Sequence, residues 1–108
     1  MKNTIKVMLV VAIASTMAYA DAAKGQKVYL KTMKSKFHMN GAKFAAIHSQ
    51  DEWDELYEDN ATGFINEFSE KFPSAAPYLS NPKTLKKIML IKDFVIEYAN
   101  DSGNVPSC

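Results

Sequence analysis

The sequence predicts an all-α fold, a small bundle of four to five short helices, and three observations carry that expectation. Apolar residues recur at three- and four-residue spacing through most of residues 21–102. No stretch alternates apolar and polar residues as a half-buried strand would, and capping residues stand ahead of the periodic runs. The first helix falls on D-A-A-K-G-Q-K-V-Y-L-K-T-M-K, where Ala22, Gly25, Tyr29 and Met33 share one face and lysines take the other. Asp21 sits favourably near its positive end. Gly25 inside a helix costs about 1 kcal/mol relative to alanine, so a close helix crossing at this position is expected.

After the basic stretch K-S-K-F-H, Asn40 and Gly41 signal a turn or a helix start, and A-K-F-A-A-I-H is long enough for one or two helical turns. Ser49 with Glu52 three residues on forms a capping box. Trp53, Leu56 and Tyr57 then line one face of a helix expected to end near Asn60. Phe64, Ile65, Phe68 and Phe72 mark the next helix, which Pro73 stops. P-S-A-A-P-Y-L-S-N reads as a loop with at most one helical turn. Asn81 as N-cap and Pro82 as first helical residue open the last helix. Its stripe is Leu85, Ile88, Met89, Lys92, Val95, Ile96 and Ala99, widened by Ile91, Phe94 and Tyr98, so the helix should be mostly buried. Residues 103–108 read as a polar, flexible tail.

Residues 1–20 have the form of a secretory signal: Lys2 and Lys6, the apolar V-M-L-V-V-A-I-A, and A-Y-A ending at Ala20. The run is too short and wrongly flanked for a membrane anchor. An exported protein beginning near Asp21 is expected, with no membrane association after cleavage. Removing residues 1–20 leaves 11 lysines against 12 carboxylates and no arginine. So balanced a chain offers no strong field for nucleic acid, and it lacks the bidentate reader of phosphate and guanine. Small domains are often supported by a disulfide, a metal or a cofactor. A disulfide within the chain is excluded because Cys108 is the only cysteine. Trp53, six Phe and four Tyr remain to build a core or to line a cofactor pocket.

Taken in order, the first helix with Gly25 and Tyr29, then K-S-K-F-H, then short helices around a Trp, then a closing helix with D-F-V-I-E-Y-A, resemble the small single-haem c-type cytochromes of the bacterial periplasm. The resemblance implies a cytochrome-c-like domain over residues 21–102, a periplasmic location and an ancestry in electron transfer. It implies that Gly25 and Tyr29 pack against Phe94 and Tyr98. It also implies that His38 is the remaining histidine of a Cys-x-x-Cys-His haem attachment motif. Lys34 and Phe37 occupy the two cysteine positions, so no thioether to a haem can form. The loop S-A-A-P-Y-L-S-N carries no distal methionine, and Met89 falls inside the helical pattern.

His38 is therefore the one cofactor-binding candidate, an axial ligand to haem iron if a haem binds non-covalently, and otherwise a histidine in a polar turn. His48 offers a second imidazole, or simply precedes the capping Ser49. A chain that has lost its haem must fill the resulting space, because close-packed interiors do not tolerate such a void. Phe37, Phe44, Phe64, Phe68 and Phe72 suit that filling, and they would suit the walls of a haem pocket as well. The acidic run D-E-W-D-E-L-Y-E-D lacks the glycine and ligand spacing of a calcium loop and reads as a solvated helix face. Asn60 lies in the glycosylation sequon N-A-T with Glu58 two residues before it, a context that some bacterial oligosaccharyltransferases require; its plain reading is an unmodified surface residue. The sequon N-D-S at Asn100 lacks that acid. Cys108 is a candidate for an intermolecular disulfide, with a second copy or another protein, in an oxidising compartment. No nucleophile elbow, paired metal-binding histidines or phosphate-cradling loop points to an enzyme. Two functions stay open: a cytochrome-c-like protein that binds haem non-covalently through His38, and a haem-free interaction or structural module with an aromatic core.

Overall fold

The computed structural model describes residues 21–105, so the proposed signal at residues 1–20 and Cys108 lie outside the described residues. The described residues form an all-α fold. Helix α1 covers residues 21–32 and leads through Met33 into the one-turn α2 (Lys34–Phe37). Then follow α3 (Gly41–Ala45), α4 (Gln50–Leu56), α5 (Glu58–Lys71), α6 (Ala76–Leu79) and α7 (Leu85–Glu97). Short 3-10 turns at Pro73–Ala75 and Pro82–Thr84 precede α6 and α7.

The caps stand where the sequence places them. Asn40 Oδ1 accepts from the Lys43 amide to start α3, and Asn81 Oδ1 from the Lys83 amide ahead of α7. Ser49 and Glu52 close a full capping box at the start of α4. Pro73 follows directly on the end of α5, where its ring forbids a further helical turn.

K-S-K-F forms a helical turn, with Phe37 buried and His38 closing it in the left-handed region at φ 56°. Two local expectations need correction. The helix that begins at Gln50 ends at Leu56, short of Asn60. Asp59, Asn60 and Ala61 instead take left-handed dihedrals, with φ of 51°, 57° and 61°, before the right-handed part of α5 begins. Each such residue costs an L-amino acid roughly 1–2 kcal/mol, least for Asp and Asn, whose short side chains tolerate it. The buried Ala61 and the bond from its amide to the Tyr57 carbonyl (3.2 Å) hold the turn in place. Gly63 permits it, since a Cβ there would lie 3.1 Å from Leu56 Cα. In α7, the buried positions are Ile88, Ile91, Phe94 and Val95, while Met89 is 40 % exposed and stands outside the apolar stripe.

The expected crossing of α1 and α7 is present. A Cβ on Gly25 would lie 2.5 Å from the Leu90 carbonyl oxygen and 3.0 Å from Phe94 Cβ, so only glycine lets the two backbones approach this closely. Tyr29, one turn along, meets Phe94 at a centroid distance of 6.0 Å, and Phe94 meets Tyr98 at 5.6 Å. Helix α4 packs on the same α7 and on α5. The C-terminal end returns to the domain: the Gln50 amide bonds Asp101, and Asn104 Nδ2 donates to the Glu97 carbonyl. The expected tail is thus tied down at Asn104.

Candidate functional site

The interior is a continuous set of rings. Phe37, delivered to the interior by α2, lies 5.2 Å from Phe44 in a nearly parallel stack, 5.5 Å from Phe68 and 5.0 Å from Phe72. Phe44 is the hub. It stacks on Tyr29 at 4.7 Å and meets Trp53 at 5.3 Å and Phe68 at 5.1 Å. Phe64 joins Phe68 at 4.8 Å and Tyr57 at 5.4 Å. Centroids 4.5–7 Å apart are rings in direct contact, worth about 0.5–1.5 kcal/mol a pair beyond their burial. Phe37, Phe44, Trp53, Phe64, Phe68 and Phe94 are all at most 1 % exposed.

Three of the buried rings have their polar atoms satisfied internally, while the buried hydroxyls of Ser69 and Tyr78 have no hydrogen-bond partner among the described residues. The Trp53 indole N–H donates to the Ala45 carbonyl (2.8 Å), the Tyr29 hydroxyl to Met39 (2.7 Å) and the Tyr57 hydroxyl to Ile88 (2.9 Å). Burial pushes both phenols above the ordinary tyrosine range, with the charge of Asp93 adding to the shift at Tyr57, so both stay neutral donors at physiological pH. An unpaired phenol at such depth would cost about 1–3 kcal/mol, so these bonds fix where the rings sit.

A haem would need a flat space between these elements and an imidazole aimed into it. Phe37, Phe44 and Phe68 instead touch one another, and the residues in this arrangement do not fit the group. His38 is exposed. With Leu30, Lys34, Ser35, Met39 and Asn40 it lines a surface cleft of about 370 Å³. Lys34 lines the same cleft and is exposed.

His48 sits elsewhere and is better connected. Its Nε2 is 2.5 Å from Glu67 Oε2, its Nδ1 is 3.5 Å from Glu52, and its ring stands edge-on to Trp53 at 5.0 Å. Lys71 shares the Glu67 carboxylate at 3.2 Å. The group ties the segment between α3 and α4 to α5, and the Asn100 amide adds the end of α7 by donating to the His48 carbonyl. Pairing with Glu67, nineteen residues on, leaves no local pattern in the sequence; the i,i+4 spacing to Glu52 was the one signal available. The structure therefore places the two histidines in different neighbourhoods.

The acidic run is a solvated face. Asp51, Glu52, Asp54, Glu55, Glu58 and Asp59 are exposed; Asp54 reaches Lys92 at 3.4 Å, and Glu52 the His48 ring. The Ser49 backbone N–H, bonded to Glu52, holds that carboxyl below the usual range. Along α1 and into the start of α2 the charge is opposite: Lys24, Lys27, Lys31 and Lys34 form an exposed row. Among the described residues, no group of three or more His, Cys, Asp and Glu is disposed to hold a metal ion, and no helix is long and apolar enough to cross a membrane.

No family model, curated protein or solved structure matches the chain.

Proposed function

We propose that the protein is an exported, haem-free helical module that acts by binding a partner rather than by catalysis, built on a cytochrome-c-like frame of electron-transfer ancestry. The observation that carries this reading is the mutual contact of Phe37, Phe44 and Phe68, which puts side chains where a cytochrome would hold its macrocycle. The ancestry rests on the α1–α7 crossing at Gly25 and on the position of K-S-K-F-H directly after the first helix. With the interior closed, function falls to the surface. Its two charged faces, the lysine row of α1 and the acidic face of α4, favour association steered by charge, and the lysine row suits an acidic partner.

The visible spectrum of protein purified from a periplasm with active haem maturation, followed by haem titration, tests the reading. A folded, colourless protein indifferent to added haem is expected. A Soret band that disappears in His38→Ala would establish the other reading, non-covalent haem held from the cleft beside Met39.

A further inference from the structure

The chain carries two asparagines in N-x-S/T sequence, and the structure treats them differently. Asn100 is held: its carboxamide donates to the Ala46 carbonyl at 3.3 Å and its amide to His48 at 3.1 Å. Asn60 is the middle residue of the left-handed turn between α4 and α5. It is exposed, as are Glu58, Asp59 and Thr62 around it, and among the described residues its carboxamide has no hydrogen-bond partner. The turn is one that L-residues adopt unwillingly, so unwinding it relieves strain. Only Ala61 within it is buried, and residues 58–60 can lift away without uncovering a ring of the core.

We propose that Asn60 is an acceptor site for an N-linked oligosaccharide, recognised through Glu58 two residues before and Thr62 two residues after. The donor is a lipid-diphosphate-linked oligosaccharide. Asn60 Nδ2 forms a bond to the anomeric carbon as the bond from that carbon to the diphosphate oxygen breaks; the electron pair leaves with the lipid diphosphate, and Nδ2 gives up one proton to a base of the transferase. The Thr62 hydroxyl, which donates to the Asp59 carbonyl at 2.5 Å in the folded turn, is released as the segment opens. Modification in the cell rests on the export proposed above, and the test keeps the two apart.

The folded full chain is incubated with a bacterial oligosaccharyltransferase and its lipid-linked donor, and peptides are weighed by mass spectrometry. A glycan mass is expected on the Asn60 peptide and not on the Asn100 peptide. It should vanish in Asn60→Gln and fall at least tenfold in Glu58→Gln. An unmodified folded chain, under conditions where a short E-D-N-A-T peptide is modified, would overturn the proposal; so would equal modification at Asn100. Export is read separately, from whether chain made in cells begins at Asp21.

Discussion

Two neighbouring regions of the interior are held together differently. At the α1–α7 crossing, the contact is made by backbone: Gly25 lies against the Leu90 carbonyl, and no other residue fits there. At α2, the contact is made by side chains, with Phe37 packed on Phe44, Phe68 and Phe72. A backbone contact has few solutions, so a frame that depends on it keeps its glycine. A side-chain site can be refilled ring by ring, provided that volume is conserved.

The largest expected effect lies in the ring-packed interior. Phe68→Ala removes a ring that touches Phe37, Phe44, Trp53 and Phe64, and should destabilise the fold by about 3–5 kcal/mol in urea unfolding. A loss under about 1 kcal/mol would mean the rings are loosely packed and the comparison is wrong on that side. On the other side, Gly25→Ala forces α1 off α7 and should cost about 1–3 kcal/mol, read as a lowered Tm. An unchanged Tm would show that the crossing is not tight.

Local features give smaller effects. Ser49→Ala opens the capping box and should cost about 1 kcal/mol, measured by the same unfolding curves. The smallest effect is electrostatic. Burial, and then the nearby Asp21 carboxylate, raise the Asp93 carboxyl above its ordinary value. A raised carboxyl favours its protonated form in the folded state, so Asp93 reduces stability at neutral pH and ceases to do so once pH falls below its unfolded value, near about 4. Asp93→Asn should therefore raise Tm at neutral pH, with the gain gone at about pH 3. Glu52 has the opposite sign: its lowered carboxyl stabilises at neutral pH, and that contribution is lost as pH falls through its folded value.

What could be read from the sequence was what is local or periodic. Ser49 with Glu52, Asn40 and Asn81 are caps whose partners lie within three residues, and the structure forms all three. Phe64 and Phe68 announce their face by spacing alone. The left-handed turn at Asp59–Ala61 was hidden because Trp53, Leu56 and Tyr57 continue a helical pattern up to it, and its cause, the fit of Gly63 against Leu56, is tertiary. Four residues of α2 are too few for periodicity to register. At the candidate site, the place of His38 just after the first helix was legible but the direction of its ring was not. An exposed imidazole on a left-handed C-cap and one aimed into a pocket share the same five letters. His48 looked like the lesser histidine, although its bond to Glu67 joins two elements of the fold.

The central claim is that side chains, not a haem, close the interior. Ring-to-ring nuclear Overhauser contacts between Phe37 and Phe44, and between Phe37 and Phe68, measured before and after addition of excess haemin, test it most directly. Both contacts are expected in the free protein, unchanged on titration. Absence of these contacts in the free protein, or their loss as a haem-bound spectrum develops, would contradict it.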